Sequence, residues 1–195
     1  MNDTALESFT KRYESLGGHV HAAGNVESAA QAVLEIVRER SGTRVAMAGL
    51  EEHLAAAFGR VLAESGVEVL REPFASIKLP HGIDECQVGI TGAAFGIAQS
   101  GTLAEVATND AVRLVSGLPR AHIGVVKASE IVERFEDAAP RLRAIFNEHS
   151  GACTVSFISG PSRTGDIELI LTMGVHGPEA AYVIVLDDAE RRVPQ

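Results

Sequence analysis

Between residues 160 and 178 the chain reads GPSRTGDIELILTMGVHGP, two Gly-Pro steps bracketing Ser162, Arg163, Thr164, Asp166, Glu168 and His176 around a short apolar run. These side chains accept, donate or exchange protons, so the segment can bind an anion or move a proton. His176 is the leading proton-handling residue, because Gly177-Pro178 follow it and a glycine-bounded loop can present an imidazole ring. Gly160 and Gly177 are expected to shape the ends of the segment. A second stretch, VGITGAAFGIAQSGTLAEVAT at residues 88–108, runs a strand-like segment into Gly92, Gly96 and Gly101, with Thr91, Gln99, Ser100 and Thr102 beside them. Glycines after a strand let backbone N–H groups approach a ligand, and hydroxyls there can hold carboxylate or phosphate oxygens. The same glycines serve equally well as tight turns and close-packing points, since the stretch is neither a Walker loop nor a GxGxxG fingerprint.

Other chemistries find less support. His19 and His21 would face one side of a strand, as a metal site requires, but no acidic or cysteine ligand stands beside them, and no metal site is expected. SGPSRTG and SGACT lack the GxSxG nucleophile elbow, and HExxH does not occur. The two cysteines, Cys86 and Cys153, lie outside any CxxC pattern and read as buried reduced thiols. An iron-sulfur cluster normally takes four thiolates, so this chain cannot house one alone.

The elements that must position these residues alternate. Residues 4–15 read as a polar amphipathic helix stopping at Gly17-Gly18, a terminal helix that is expected to sit loosely. Asn25 is an N-cap for a helix whose Val26, Ala29, Ala30, Val33 and Val37 recur at helical spacing. TRVAMAGL then reads as a strand, residues 51–64 as a helix and VEVL as a strand, the rhythm of a parallel α/β sheet. QVGITGA, AHIGVVK, CTVSFIS and AAYVIVLD read as further core strands. Glu105 is expected on the strand after the glycine-rich stretch. From Ser129 to His149 the apolar residues fit a helical stripe interrupted by Pro140, which predicts two helices, the second beginning at the proline.

Composition narrows the field further. At 195 residues, 46% hydrophobic and 22% charged, the chain suits one globular domain spanning 1–195, with residues 1–18 as the loose helix. A net charge of -9, with 17 basic residues scattered among 26 acids, argues against nucleic acid as a partner. Nothing reads as a signal peptide or membrane span, so the cytoplasm is the expected location.

Taken together, GITGAAFGIAQSGTL, SGPSRTGDIELILTMGVHGP and AYVIVLD resemble the lactate-utilisation protein C family, whose core is the LUD domain. The similarity extends over roughly residues 40–190, with both motifs in the family's order. The resemblance implies a three-layer α/β/α sandwich with a mostly parallel sheet, like that of ribose-5-phosphate isomerases, glucosamine-phosphate deaminases and coenzyme A transferases. It also implies a part in oxidising L-lactate to pyruvate beside iron-sulfur proteins, with the clusters on those partners and no cofactor in this chain. Gln99 and Ser100 stand where the family commonly has glutamate and threonine, and an amide cannot form the acyl intermediate of a glutamate nucleophile. Gly165 replaces a customary alanine. On this reading Arg163 takes a small carboxylate, since its planar fork suits a bidentate contact. Ser159, Ser162 and Thr164 assist, together with Thr91, Gly92, Gln99, Ser100, Gly101, Thr102, Gly160 and Gly177. His176 is the acid or base, and Asp166 caps a short helix and orients Arg163. Two alternatives stay open: a stand-alone enzyme of the sugar-phosphate or coenzyme A transferase type, and a non-catalytic interaction subunit.

Overall fold

Most of the apolar runs become strands of a parallel sheet in the computed structural model, which describes residues 3–74, 79–165, 171–173 and 176–188. In chain order the helices are α1 (Asp3–Ser15), α2 (Val26–Glu39), α3 (Glu52–Glu64), α4 (His81–Asp84), α5 (Asp110–Gly117) and α6 (Ala138–Glu148). The strands are β1 (His19–Ala23), β2 (Arg44–Ala48), β3 (Glu68–Arg71), β4 (Val88–Gly92), β5 (Phe95–Ile97), β6 (Thr102–Ala107), β7 (Ala121–Lys127), β8 (Ile131–Val132), β9 (Thr154–Ile158), β10 (Arg163–Gly165), β11 (Leu171–Met173) and β12 (Ala180–Leu186).

Six strands form one sheet in the order β1-β12-β7-β4-β2-β3, every neighbouring pair parallel. Its central strands are near-continuous apolar runs because helices cover both faces. On one face α2 buries Ala29, Ala30, Val33, Leu34 and Val37, and α3 buries Leu54, Phe58, Val61 and Leu62, all in one cluster with Val45, Ile90, Ile123 and Ile184 of the sheet. Asn25 starts α2 with a capping box, accepting from the Ser28 N–H at 2.8 Å while Ser28 Oγ accepts from the Asn25 N–H. The opposite face carries α1, α5 and a second, four-stranded sheet, β8-β5-β6-β9. There α5 lies so close that a Cβ on Gly89 would stand 1.9 Å from the Val115 carbonyl oxygen, and only glycine fits. The expected α/β fold with a parallel core and helices on both faces is therefore present. Among the described residues no helix is long and apolar enough to cross a membrane.

Several expectations need correction. The helix predicted from Ser129 is replaced by the 3-10 turns Ala128–Glu130 and Phe135–Asp137 around β8, because Ile131 and Val132 pair with Gly96 and Ile97. The helix that follows begins at Ala138, and Pro140 falls in its first turn, where its missing N–H has no carbonyl to meet. CTVSFIS, read as a core strand, supplies β9 at the edge of the second sheet with Thr154 and Phe157 exposed. The terminal helix is not loose: Ala5, Phe9 and Tyr13 are buried in one cluster with Val126, Val183 and Val185. Leu171, in the stretch predicted as a helix from Asp166, lies in β11 opposite Gly165; Asp166 and Glu168 themselves fall outside the described residues.

Candidate functional site

The turn between β5 and β6 and the segment after β9 meet at the C-terminal end of α1. Thr102 Oγ1 donates to Ser100 Oγ at 2.7 Å and stands 2.7 Å from Ser159 Oγ. A hydroxyl gives only one hydrogen, so Ser159 donates to Thr102 and the Ser100 hydrogen is left to point elsewhere. Glycines permit this approach. Gly101 has φ +62 and a Cβ there would lie 2.8 Å from the Tyr13 nitrogen; Gly160 has φ +87 and packs on the Leu16 carbonyl. Arg163 reaches the same corner, its guanidinium 3.9 Å from the position a Gly17 Cβ would take, and the Arg12 stem lies against Gly101. Both arginines are exposed, and neither has an ion pair among the described residues. Two arginines that have no ion pair among the described residues, at the corner that holds three hydroxyls, favour an anion there on a chain of net charge -9.

The remaining predicted residues are dispersed. The Ser162 N–H donates to the Pro178 carbonyl at 2.8 Å, and its side chain lies against Gly177, where a Cβ would come within 3.2 Å. Together with exposed His176 they sit near the amino end of β12. Gln99 faces away from the hydroxyls: its Oε1 accepts from the Phe135 N–H at 3.0 Å, and it lines a cavity of about 210 Å³ with Thr4, Ser8 and Glu133. Thr164 pairs with Thr172 in the β10-β11 hairpin. Thr91 and Gly92 lie on β4, Thr91 facing the second sheet and Gly92 at the carboxyl edge of the first. His19 and His21 do approach a common partner, but it is the Tyr182 ring, at centroid distances of 5.1 and 6.2 Å.

Sequence reasoning missed a buried polar chain around Thr91. Its hydroxyl donates to Glu105 Oε2 at 2.8 Å, and Ser116 of α5 donates to Glu105 Oε1 at 2.9 Å. His122 Nε2 stands 2.8 Å from the same Thr91 oxygen. With its own hydrogen given to Glu105, Thr91 can only accept, which places the imidazole proton on Nε2 and leaves buried Nδ1 without a partner among the described residues. Burial holds the Glu105 carboxyl above its ordinary range, against the pull of the Thr91 and Ser116 hydrogen bonds, and pushes His122 down to about 4. Thr91, Glu105 and His122 are each 1% exposed, so this acid-base set is closed to substrate. The available signal was one acid and one histidine inside otherwise apolar strands.

The corner around Arg163 thus unites the two motifs that stand out in the sequence. Residues 6–186 match the LUD domain. Two similar proteins are each called Lactate utilization protein C. The one from Shouchella clausii is 43% identical over 101 residues, covering 52% of this chain and 44% of that protein. The one from Bacillus subtilis is 40% identical over 106 residues, covering 53% and 44%. The matched part of this chain therefore spans less than half the length of these relatives. A solved DUF162 family protein from Deinococcus radiodurans superposes with a TM-score of 0.67 at 22% identity, covering 95% of this chain and 98% of the other. That likeness shows a shared fold. With the LUD domain match extending from α1 to the end of β12, this chain belongs to the LUD domain family.

Proposed function

We propose that this chain is a component of L-lactate utilisation that binds a small carboxylate at the corner formed by Arg163, Ser100, Thr102 and Ser159, and works beside iron-sulfur proteins. The observation that carries the reading is the convergence of the Ser100 and Ser159 hydroxyls on Thr102 Oγ1, each 2.7 Å from it, at a corner with exposed arginines that have no ion pairs among the described residues. The relatives' name, Lactate utilization protein C, supplies the substrate class. Arg163 supplies the bidentate contact, and the Ser100 hydroxyl supplies a third donor. His176, on the segment that packs against Ser162 beside the corner, is the proposed acid or base, and Asp166 the proposed orienting group for the guanidinium. Lactate oxidation to pyruvate releases two electrons and two protons, and the electrons pass to clusters on the partners, since two cysteines cannot furnish four thiolates.

Calorimetric titration of the protein with L-lactate and pyruvate tests this reading. Arg163→Ala should weaken binding by about 1.5–3 kcal/mol, the range for a hydrogen bond to a charged group, and Ser100→Ala by about 1 kcal/mol. Unchanged binding in Arg163→Ala would remove the site. Loss of the gene should impair growth on L-lactate while sparing growth on pyruvate, and equal growth on both would remove the pathway role.

A further inference from the structure

The carboxyl edge of the parallel sheet holds a second set of chemical groups, apart from the corner around Arg163 and bordered by Gly92, Ala93 and Ala94 of the glycine-rich stretch. The connection after β2 runs to α3 on one face and the connection after β4 runs to β5 on the other, so a crevice opens between these strand ends. Open parallel sheets bind ligands at such a switch point. The crevice here has two lobes, of about 280 and 140 Å³, which share Lys127 and Leu186. Each alone is smaller than the roughly 300–1,000 Å³ usual for small-molecule sites, and joined they fall inside that range. Gly92 is needed to form it, since a Cβ there would stand 2.3 Å from the Gly49 carbonyl oxygen.

The wall chemistry is distinctive. Leu54, Val125 and Leu186 give the larger lobe an aliphatic side. Lys127, with its side chain 31% exposed, stands between the lobes and is held by Glu51. Glu51 is the N-cap residue of α3, yet its side chain makes no capping bond. In the smaller lobe Asp188 accepts from the Ser129 N–H at 3.2 Å and from its hydroxyl, which fixes the carboxylate in place. Burial pushes that carboxyl up, but the Ser129 bonds and the nearby Lys127 charge outweigh it and keep it ionised. The Asn25 side chain at the start of α2 accepts from Ser28, so it does not turn the smaller lobe into an anion cradle. Among the described residues Lys127 is the one Lys or Arg lining either lobe. Of the four carboxylates beside it, Glu51 holds its ammonium, Glu130 pairs with Arg141, Asp187 lines the smaller lobe and Asp188 is fixed by Ser129. A cation and a fixed carboxylate against an aliphatic wall thus complement a molecule carrying both charges on a short apolar body.

We infer that this crevice is a second binding site, for an aliphatic α-amino acid, with Lys127 taking its carboxylate, Asp188 its ammonium, and Leu54, Val125 and Leu186 its side chain. The ligand carboxylate displaces Glu51 from Lys127, and the freed N-cap carboxylate swings to solvent or to His53, 3.6 Å away. The site is independent of the corner around Arg163.

Titration with L-leucine, and with isocaproate and isoamylamine as the same skeleton lacking one charge or the other, tests the inference. L-Leucine should bind roughly tenfold or more tightly than either analogue, as two charge-assisted contacts require. Lys127→Met should abolish the advantage over isoamylamine, and Asp188→Asn the advantage over isocaproate. Both variants should keep the L-lactate titration of the unaltered protein, while Arg163→Ala should leave L-leucine binding unchanged. Failure to bind L-leucine, equal affinity for L-leucine and an analogue, or insensitivity to both crevice substitutions would overturn the inference without touching the carboxylate site.

Discussion

Acidification from pH 7 to 4 should withdraw about 3 kcal/mol of stability through the single imidazole of His122. The ring is 1% exposed and burial lowers its pKa from 6.5 to about 4. Above pH 6.5 the ring is neutral in both folded and unfolded chains and contributes nothing to the difference. Below that value the unfolded chain takes up a proton that the native state refuses, until the pH reaches the folded pKa. A gap of about 2.5 pH units at about 1.36 kcal/mol each gives about 3.4 kcal/mol. Glu105 works in the opposite sense. Its folded pKa is raised, so its contribution is full below the ordinary carboxyl range and is lost as pH rises through the raised value. Acidification therefore relieves the cost of Glu105 while imposing that of His122, and the wild-type profile alone reports only their sum. Comparison with His122→Gln, in which an amide can still donate to Thr91, isolates the imidazole. Urea unfolding followed by circular dichroism at several values between pH 7 and 4 should show the wild type losing about 3 kcal/mol more than the variant. Parallel profiles for the two proteins would refute the buried, neutral imidazole.

Three further outcomes follow from the packing. Gly92→Ala places a methyl 2.3 Å from the Gly49 carbonyl oxygen, so the two strand ends must part; thermal unfolding should show a loss of about 1–3 kcal/mol. Phe9→Ala removes a fully buried ring stacked 5.7 Å from Tyr13 and should cost about 3–5 kcal/mol by chemical denaturation, whereas a loss below about 1 kcal/mol would mean α1 is not part of the core. Burial raises the Cys86 thiol to about 11 while Cys153 is half-exposed, so Ellman's reagent at pH 8 should modify one thiol in the native protein and the second only on unfolding.

The central strands were legible because both faces of a parallel sheet are covered, which writes runs such as RVAMA and AAYVIVL into the chain. The N-cap at Asn25 was legible for a local reason, a side chain bonding within its own turn. The second sheet was not. Ile131 and Val132 satisfy a helical stripe as well as a strand, and pairing with β5, more than thirty residues away, decides between them. In the corner around Arg163, Ser100, Thr102 and Ser159 stood out as hydroxyls beside glycines, but their meeting depends on the register that sets Leu103 opposite Ile158. Arg12 gave no signal at all, since a basic residue in the last turn of an amphipathic helix reads as solvated surface. Lys127 and Asp188 were equally silent because each follows or ends a core strand, where charged residues ordinarily mark only the exit to solvent.

The main sheet sets its earliest strand beside its latest: β1 forms an edge and pairs with β12, its only partner among the described residues. On a ribosome adding about 5–20 residues per second, β1 emerges on the order of ten to thirty seconds before its partner exists. Until β12 is made, the apolar face of α1, with Phe9 and Tyr13, lacks the Val183 and Val185 side chains of its cluster. Vectorial synthesis can assemble β2, β3, β4 and β7 as they appear, but β1 stays unpaired and the cluster beneath α1 stays incomplete until β12 has been made. The α1–β1 segment is therefore secured late and, in a living cell, is open to chaperones and proteases while it waits.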